Sequence, residues 1–334
     1  MEKREEGNQT IITELILRGF GDFQDLRIVI FILFLAIYIL TMTGNILIVG
    51  LVVTNHSLHT PMYFFLANLS CLETFYSSTI LPKVLVSSLT AERAISIPGC
   101  IAQFYFFTAL VVTECGLLAM MSYDRYVAIC KPLHYGTHMT AKRCVVMAAG
   151  CWITGFLAMS VMMYLMTRLT FCGPNEIEHF FCDFTPVAKI ACSESQKFEL
   201  MGFIFSTIFT VPTFLLTLTS YTFIVTTILR IPSATGRKKA FSTCSSHLFV
   251  VTIYYGTLII VYVLPNNENM RKLNKVFSVF YTILTPLVNP LIYSLRNREV
   301  KVCLRKSVGK LTNGIWSKEI QGTVFSLGWN PKSP

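Results

Sequence analysis

Met121-Ser122-Tyr123-Asp124-Arg125-Tyr126-Val127-Ala128-Ile129-Cys130 closes an apolar run that begins near Pro98. That run holds no Lys or Arg before Arg125, and its only other acid is Glu114. As one helix it reaches about 50 Å at roughly 1.5 Å per residue. The hydrocarbon core of a bilayer is only ~30 Å thick. The adjacent acid and base then fall at the membrane–water boundary, where charge is tolerated, rather than at the centre, where it is costly.

The rest of the chain repeats the pattern. Of its 334 residues, 53% are apolar and 14% charged, against about 25% charged in a soluble domain. Apolar runs at 27–53, 61–83, 98–130, 141–163, 198–228, 240–263 and 273–295 are long enough to cross a bilayer. The expected fold is all-α, a bundle of seven transmembrane helices over 27–295. Residues 1–26 form an N-terminal tail without the basic and apolar regions of a cleavable signal peptide, so the first run serves as insertion signal. After the last run, basic residues from Arg296 to Lys310 interleave with Val300, Val302, Leu304 and Val308. This reads as a short amphipathic helix over 296–310 on an anionic lipid surface. Cys303 within it is a candidate for acylation. Residues 311–334 read as a cytoplasmic tail.

Basic residues set the orientation. The loops at 131–140 and 229–239 and the C-terminal stretch carry Lys and Arg in excess of acids. That side is cytoplasmic, and an odd number of spans puts the N-terminus outside. The formal charge of +10 is thus a topology signal and no sign of a nucleic-acid partner. Asn8, in the sequon Asn8-Gln9-Thr10, becomes available to glycosylation. Cys100, Cys172, Cys182 and Cys192 lie outside, where disulfides persist, and arithmetic alone does not choose their pairing. The chain has no phosphate-binding glycine loop, no metal-ligand cluster and no paired nucleophile and base, so it does not read as an enzyme. No inverted repeat supports a transporter.

Several motifs, taken together, resemble the olfactory receptors within the class A G-protein-coupled receptors. They are Gly44-Asn45, the stretch Leu58 to Leu66, Met121 to Cys130, Ser220-Tyr221, the stretch Lys239 to Leu248, and Pro286-Leu287-Val288-Asn289-Pro290-Leu291-Ile292-Tyr293. The resemblance runs over roughly residues 10–310. The sixth span carries Tyr254-Tyr255-Gly256 in place of the proline and tryptophan usual in non-olfactory relatives. Glu73 stands where most of the family has Asp, and Ser122 where Ala is commonest.

The resemblance implies a plasma-membrane receptor for a small volatile odorant that activates a heterotrimeric G protein of the cyclase-stimulating olfactory type. The alternative is a class A receptor for a non-volatile ligand outside the olfactory system. It also implies disulfides Cys100–Cys182 and Cys172–Cys192. The intramembrane acids Glu73 and Glu114 could share a proton or hold a sodium ion, with Asn45 and Asn289 as neighbours. Helical spacing marks pocket candidates Phe104, Phe107, Thr108, Val111 and Val112 on the third span. Phe205, Ser206 and Phe209 follow on the fifth, Tyr255, Leu258, Ile259 and Tyr262 on the sixth, and Val279 and Tyr281 on the seventh. At the cytoplasmic end the expected switch is Asp124, Arg125 and Tyr126, joined by Tyr221, His247, Asn289, Pro290 and Tyr293.

Overall fold

A computed structural model describes residues 14–20, 26–90, 92–171, 175–191, 195–264, 268–296 and 299–306. Asn8, Cys172, Cys192 and the tail 311–334 lie outside the described residues. Among those residues seven long helices form one bundle: α1 (Arg27–Thr54), α2 (Pro61–Thr90), α3 (Ile97–Cys130), α4 (Ala141–Met166), α5 (Ser195–Leu229), α6 and α7. α6 is Ala234–Leu258 continued by a π-helical turn, Ile259–Val263. α7 comprises Glu268–Val279, a second π-helical turn Phe280–Leu284, and Thr285–Arg296.

The helix starts are written locally. Ser96, Thr140 and Ser233 cap α3, α4 and α6 by accepting the backbone N–H three residues on. Each supplies a partner to a first-turn donor that the helix itself cannot satisfy. α2 opens on Pro61, whose missing N–H costs nothing at that position.

Five helices are apolar enough, over enough length, to cross a membrane: α1, α3, α4, α5 and the Leu273–Ile292 part of α7. α2, with Glu73, Lys83 and many hydroxyl residues, and α6, with a shorter apolar stretch at His247–Val263, fall below that measure. Both still belong to the bundle, because their polar groups turn inward: Ser70, Glu73, Ser77 and His247 are buried. In lipid a polar side chain has no water partner, so the bundle interior is where it can be satisfied.

α3 is the axis of the bundle. Of its apolar window 72% is buried, against 22% for α1 and α4 and 17% for α5. It packs against α2, α4 and α5. The approach to α4 depends on Gly155, where a Cβ would strike the Ala109 carbonyl and the Thr113 hydroxyl. α1 and α7 come together at Gly44, where a Cβ would lie 3.0 Å from Pro290.

Over one end of the bundle lies a small sheet in the order β2-β1-β3, within the segment expected as a plain tail and the loops beside it. β1 (Glu14–Leu17) pairs antiparallel with β2 (Ala94–Ser96), Leu15 opposite Ile95. It pairs parallel with β3 (Glu176–Ile177), Ile16 opposite Glu176. Leu15 and Leu17 turn into the fold while Arg18 forms an ion pair with Glu176. Cys100 and Cys182 are joined by a disulfide, and Gln103 reinforces it, accepting the Cys182 N–H at 2.9 Å and donating to the Thr79 carbonyl at 2.8 Å. Phe171 and Ala191, the residues just before Cys172 and Cys192, form an antiparallel bridge.

At the other end residues 299–306 are helical. Val300 and Cys303 are buried against the bundle, and Glu299 accepts the Tyr63 hydroxyl at 2.7 Å. Cys303 therefore faces Ser57, 3.5 Å away, rather than lipid.

Gly155→Ala is expected to destabilise the fold by about 1–3 kcal/mol through overpacking at α3–α4, read as a lower Tm of the detergent-solubilised protein. Gly150→Ala, on the same helix with open space for the new methyl, is expected to leave Tm unchanged or raise it, because alanine favours a helix interior over glycine.

Candidate functional site

Beneath the lid a cavity of ≈ 40 Å³ opens between α3, α4, α5 and α6. Phe104, Thr108, Val111 and Val112 of α3 line it, with Phe205, Ser206 and Phe209 of α5 and Leu258 and Tyr262 of α6, all expected from the sequence. Cys115, Met159, Met162 and Thr210 complete the helical wall.

Phe107, Tyr255, Ile259, Val279 and Tyr281 are not on this cavity. Phe107 turns toward α2 and the lid, its ring 5.1 Å from Tyr76 and 4.7 Å from Phe181. Tyr255 donates its hydroxyl to the Cys115 carbonyl at 2.8 Å, and Tyr254 does the same to Val111 at 3.1 Å. Ile259 is half-buried in the π-helical turn of α6, and Val279 packs against the main core. Tyr281 stands behind Tyr262, their hydroxyls 2.8 Å apart.

The lid supplies what the spans did not announce. Asp183, the residue after the disulfide, is buried at the cavity roof and accepts the Tyr262 hydroxyl at 2.8 and 2.9 Å. It also caps the short helix Phe184–Ile190, accepting the Phe184 N–H at 2.7 Å. Phe184 stacks on Phe198 and lies over Gly202 of α5, where any Cβ would enter its ring. The adjacency of Asp183 to Cys182 was the one clue in the sequence.

Burial pushes the Asp183 carboxyl up to about 6, from an ordinary 3.8, while the Phe184 amide and Tyr262 hydroxyl pull it back. His179, packed between Phe180 and Phe181, is held down at about 3 by burial and stays neutral.

Deeper in the bundle, Glu73 and Glu114 are both fully buried. Asn289 donates to Glu73, while Asn45 ties α1 to α7 by donating to the Pro286 carbonyl at 3.1 Å. Both Glu114 oxygens, Glu73 Oε2 and the side-chain oxygens of Asn45, Asn289 and Ser77 lack a hydrogen-bond partner among the described residues. Oxygens are the donors that hard cations take.

At the end of the bundle away from the sheet Asp124 is fully buried and paired with Arg125. Tyr135, in the loop after α3, donates to Asp124 at 2.8 Å, a second hold that no spacing in the sequence signalled. Tyr126 packs on Phe223 of α5. The Tyr221 hydroxyl meets His247 Nδ1 at 2.7 Å, joining α5 to α6, and His247 Nε2 has no partner among the described residues. Ser122, in place of the commoner Ala, reaches Thr217 at 3.4 Å. Asn289 and Pro290 sit on α7 as expected, and the Tyr293 side chain is outside the description. A larger groove of ≈ 780 Å³ lies between α1, α2 and α4. Its walls include the exposed Val53 and Val145, and it is remote from the lid.

The sequence profile of the olfactory receptor family matches residues 34–310. Human olfactory receptor 6B1 is 50% identical over 300 residues, which is 90% of this chain and 96% of that one. Human olfactory receptor 5B21 is 48% identical over 309 residues, 91% and 98% of the two chains. Human olfactory receptor 6F1 is 47% identical over 300 residues, 90% and 97%.

The Asp183 geometry sets a pH dependence. Its pKa is raised in the fold, so between about 6 and 3.8 the folded chain binds a proton that the unfolded chain does not. Its contribution to stability is therefore full below 3.8 and lost as pH rises through about 6. Tm of the solubilised receptor is expected to gain a component on going from pH 7 to 5 that Asp183→Asn abolishes. Parallel profiles for the two proteins would remove Asp183 as the source.

Proposed function

The chain belongs to the olfactory receptor family of G-protein-coupled receptors, a non-enzymatic family, and from that premise we propose that it binds a small, mostly apolar volatile molecule in the cavity under the lid. The single observation that carries this is the cavity itself. It is enclosed by aromatic and aliphatic side chains of α3, α5 and α6, with a few hydroxyls to orient a ligand. In this reading the lid side is extracellular, Asn8 carries glycan, and Cys172 pairs with Cys192.

Signalling runs down α3 and α6. With the ligand in place, the state in which α6 stands away from α3 gains population, because only differential contact energy shifts such an equilibrium. Arg125 then leaves Asp124 and meets a heterotrimeric G protein of the cyclase-stimulating olfactory type in the gap. Tyr221 and His247, already joined across α5 and α6, re-form the hydrogen bonds there. Asn289-Pro290 gives α7 a hinge. Glu73 and Glu114, with Asn45 and Asn289, would hold a sodium ion between α2, α3 and α7, whose charge relieves the repulsion of the two carboxylates.

Arg125→Ala is expected to abolish odorant-driven cyclic AMP in cells while surface labelling persists. Tyr135→Phe removes one of two holds on Asp124 and is expected to raise basal cyclic AMP about two- to tenfold, the equivalent of a net hydrogen bond of ~0.5–1.5 kcal/mol. Normal signalling from the arginine variant would exclude Arg125 from the switch.

A further inference from the structure

The polar atoms around the cavity are unequally employed. Threonine hydroxyls on the spans generally return to a carbonyl one turn back: Thr113 to Ala109 at 2.8 Å, Thr213 to Phe209 at 2.7 Å, Thr257 to Ile253 at 2.8 Å. Thr108 does not. Its Oγ1 is buried, lines the cavity and has no hydrogen-bond partner among the described residues. An unmade hydrogen bond of this kind is costly, and the cost is recovered when a ligand atom fills it.

Ser206 and Thr210 also line the cavity, but among the described residues neither hydroxyl is a buried atom left without a partner, and Tyr262 and Asp183 are committed to each other. Tyr262 gives its proton to Asp183, and Asp183 also takes the Phe184 N–H. Tyr281 passes its own proton toward Ser278 or Tyr262. No Lys, Arg or His among the described residues lines the cavity, so a ligand anion would find no countercharge and would face the acidic Asp183. A ligand ammonium would have to displace the Tyr262 and Phe184 donors from that carboxylate.

We propose that Thr108 is the specificity-determining polar contact of this receptor, and that its ligands are small neutral molecules carrying one carbonyl or hydroxyl oxygen, with carboxylic acids rejected. The inference rests on the odorant-receptor reading and names the ligand class for it. Size follows from the same cavity. Its ≈ 40 Å³ is well below the ~150 Å³ of an engineered cavity that accepts benzene. A ligand must therefore displace a lining side chain, and Phe184 and Phe205 are among the rings that line the cavity.

The test uses the full-length receptor in cells reporting cyclic AMP, with surface expression matched. The probes share one carbon count: the alkane, primary alcohol, aldehyde, methyl ketone, primary amine and carboxylic acid. For the wild type the alcohol, aldehyde or ketone is expected to be at least tenfold more potent than the alkane, amine and acid. Thr108→Val keeps the shape and removes only an unpaired hydroxyl, so the fold is not put at risk. It is expected to cost at least tenfold in potency for the oxygenated ligands and nothing for the alkane, and Thr108→Ser is expected to restore them. Asp183→Asn is expected to raise the response to the acid. If the acid or amine is the strongest agonist, or Thr108→Val leaves oxygenated ligands unchanged, the inference is overturned while the odorant reading stands. If no volatile of any class acts on the wild type, the odorant reading fails and takes the inference with it.

Discussion

The hydroxyls of Tyr254 and Tyr255 donate to two successive turns of α3, at Val111 and Cys115. Both residues line the cavity, and both donors sit on α6, so the wall of the cavity and α6 share these bonds. In a dry interior a hydroxyl that loses its partner has no water to turn to, which makes each bond costly to leave unmade. An α6 that pivots must exchange these partners for others rather than stretch them. That constraint favours two discrete arrangements over a continuum.

α3 is where such exchanges register, because it is buried along most of its length. Thr108 is at its upper level, Glu114 in the middle and Asp124 at the foot, each buried or lining a cavity. The π-helical turns add a second register. One carries Tyr262 and the other Tyr281, and their hydroxyls meet under Asp183. A π-turn holds one extra residue per turn, and its appearance at functional sites is common. Here the two turns bring the Tyr281 hydroxyl to Tyr262, whose own hydroxyl is held by the Asp183 carboxylate.

Most of the architecture could be read from the chain because it follows from hydropathy. Apolar run length placed the spans, and the lysines and arginines of the loops gave an expected orientation. What failed was rotation about the helix axis. On α3, Phe104, Thr108, Val111, Val112 and Cys115 fall on one face at roughly 100° per residue. Phe107 lies at the edge of that face, where either neighbour could claim it, and Tyr76 and Phe181 do. Tyr255 was lost from the cavity for a different reason: a phenol can be aimed at a carbonyl as well as at a ligand, and periodicity does not distinguish these. Asp183 and Tyr135 act through contacts 79 and 11 residues away in sequence. No local pattern marks such partners.

The roof sheet has a consequence for how the molecule is made. β1 precedes α1, yet its partners are Ala94–Ser96, after α2, and Glu176–Ile177, after α4. The sheet therefore cannot close until the four helices between β1 and β3 have been made. Until then the apolar strand Leu15-Ile16-Leu17 keeps an unpaired edge, the kind of surface that another strand can pair with.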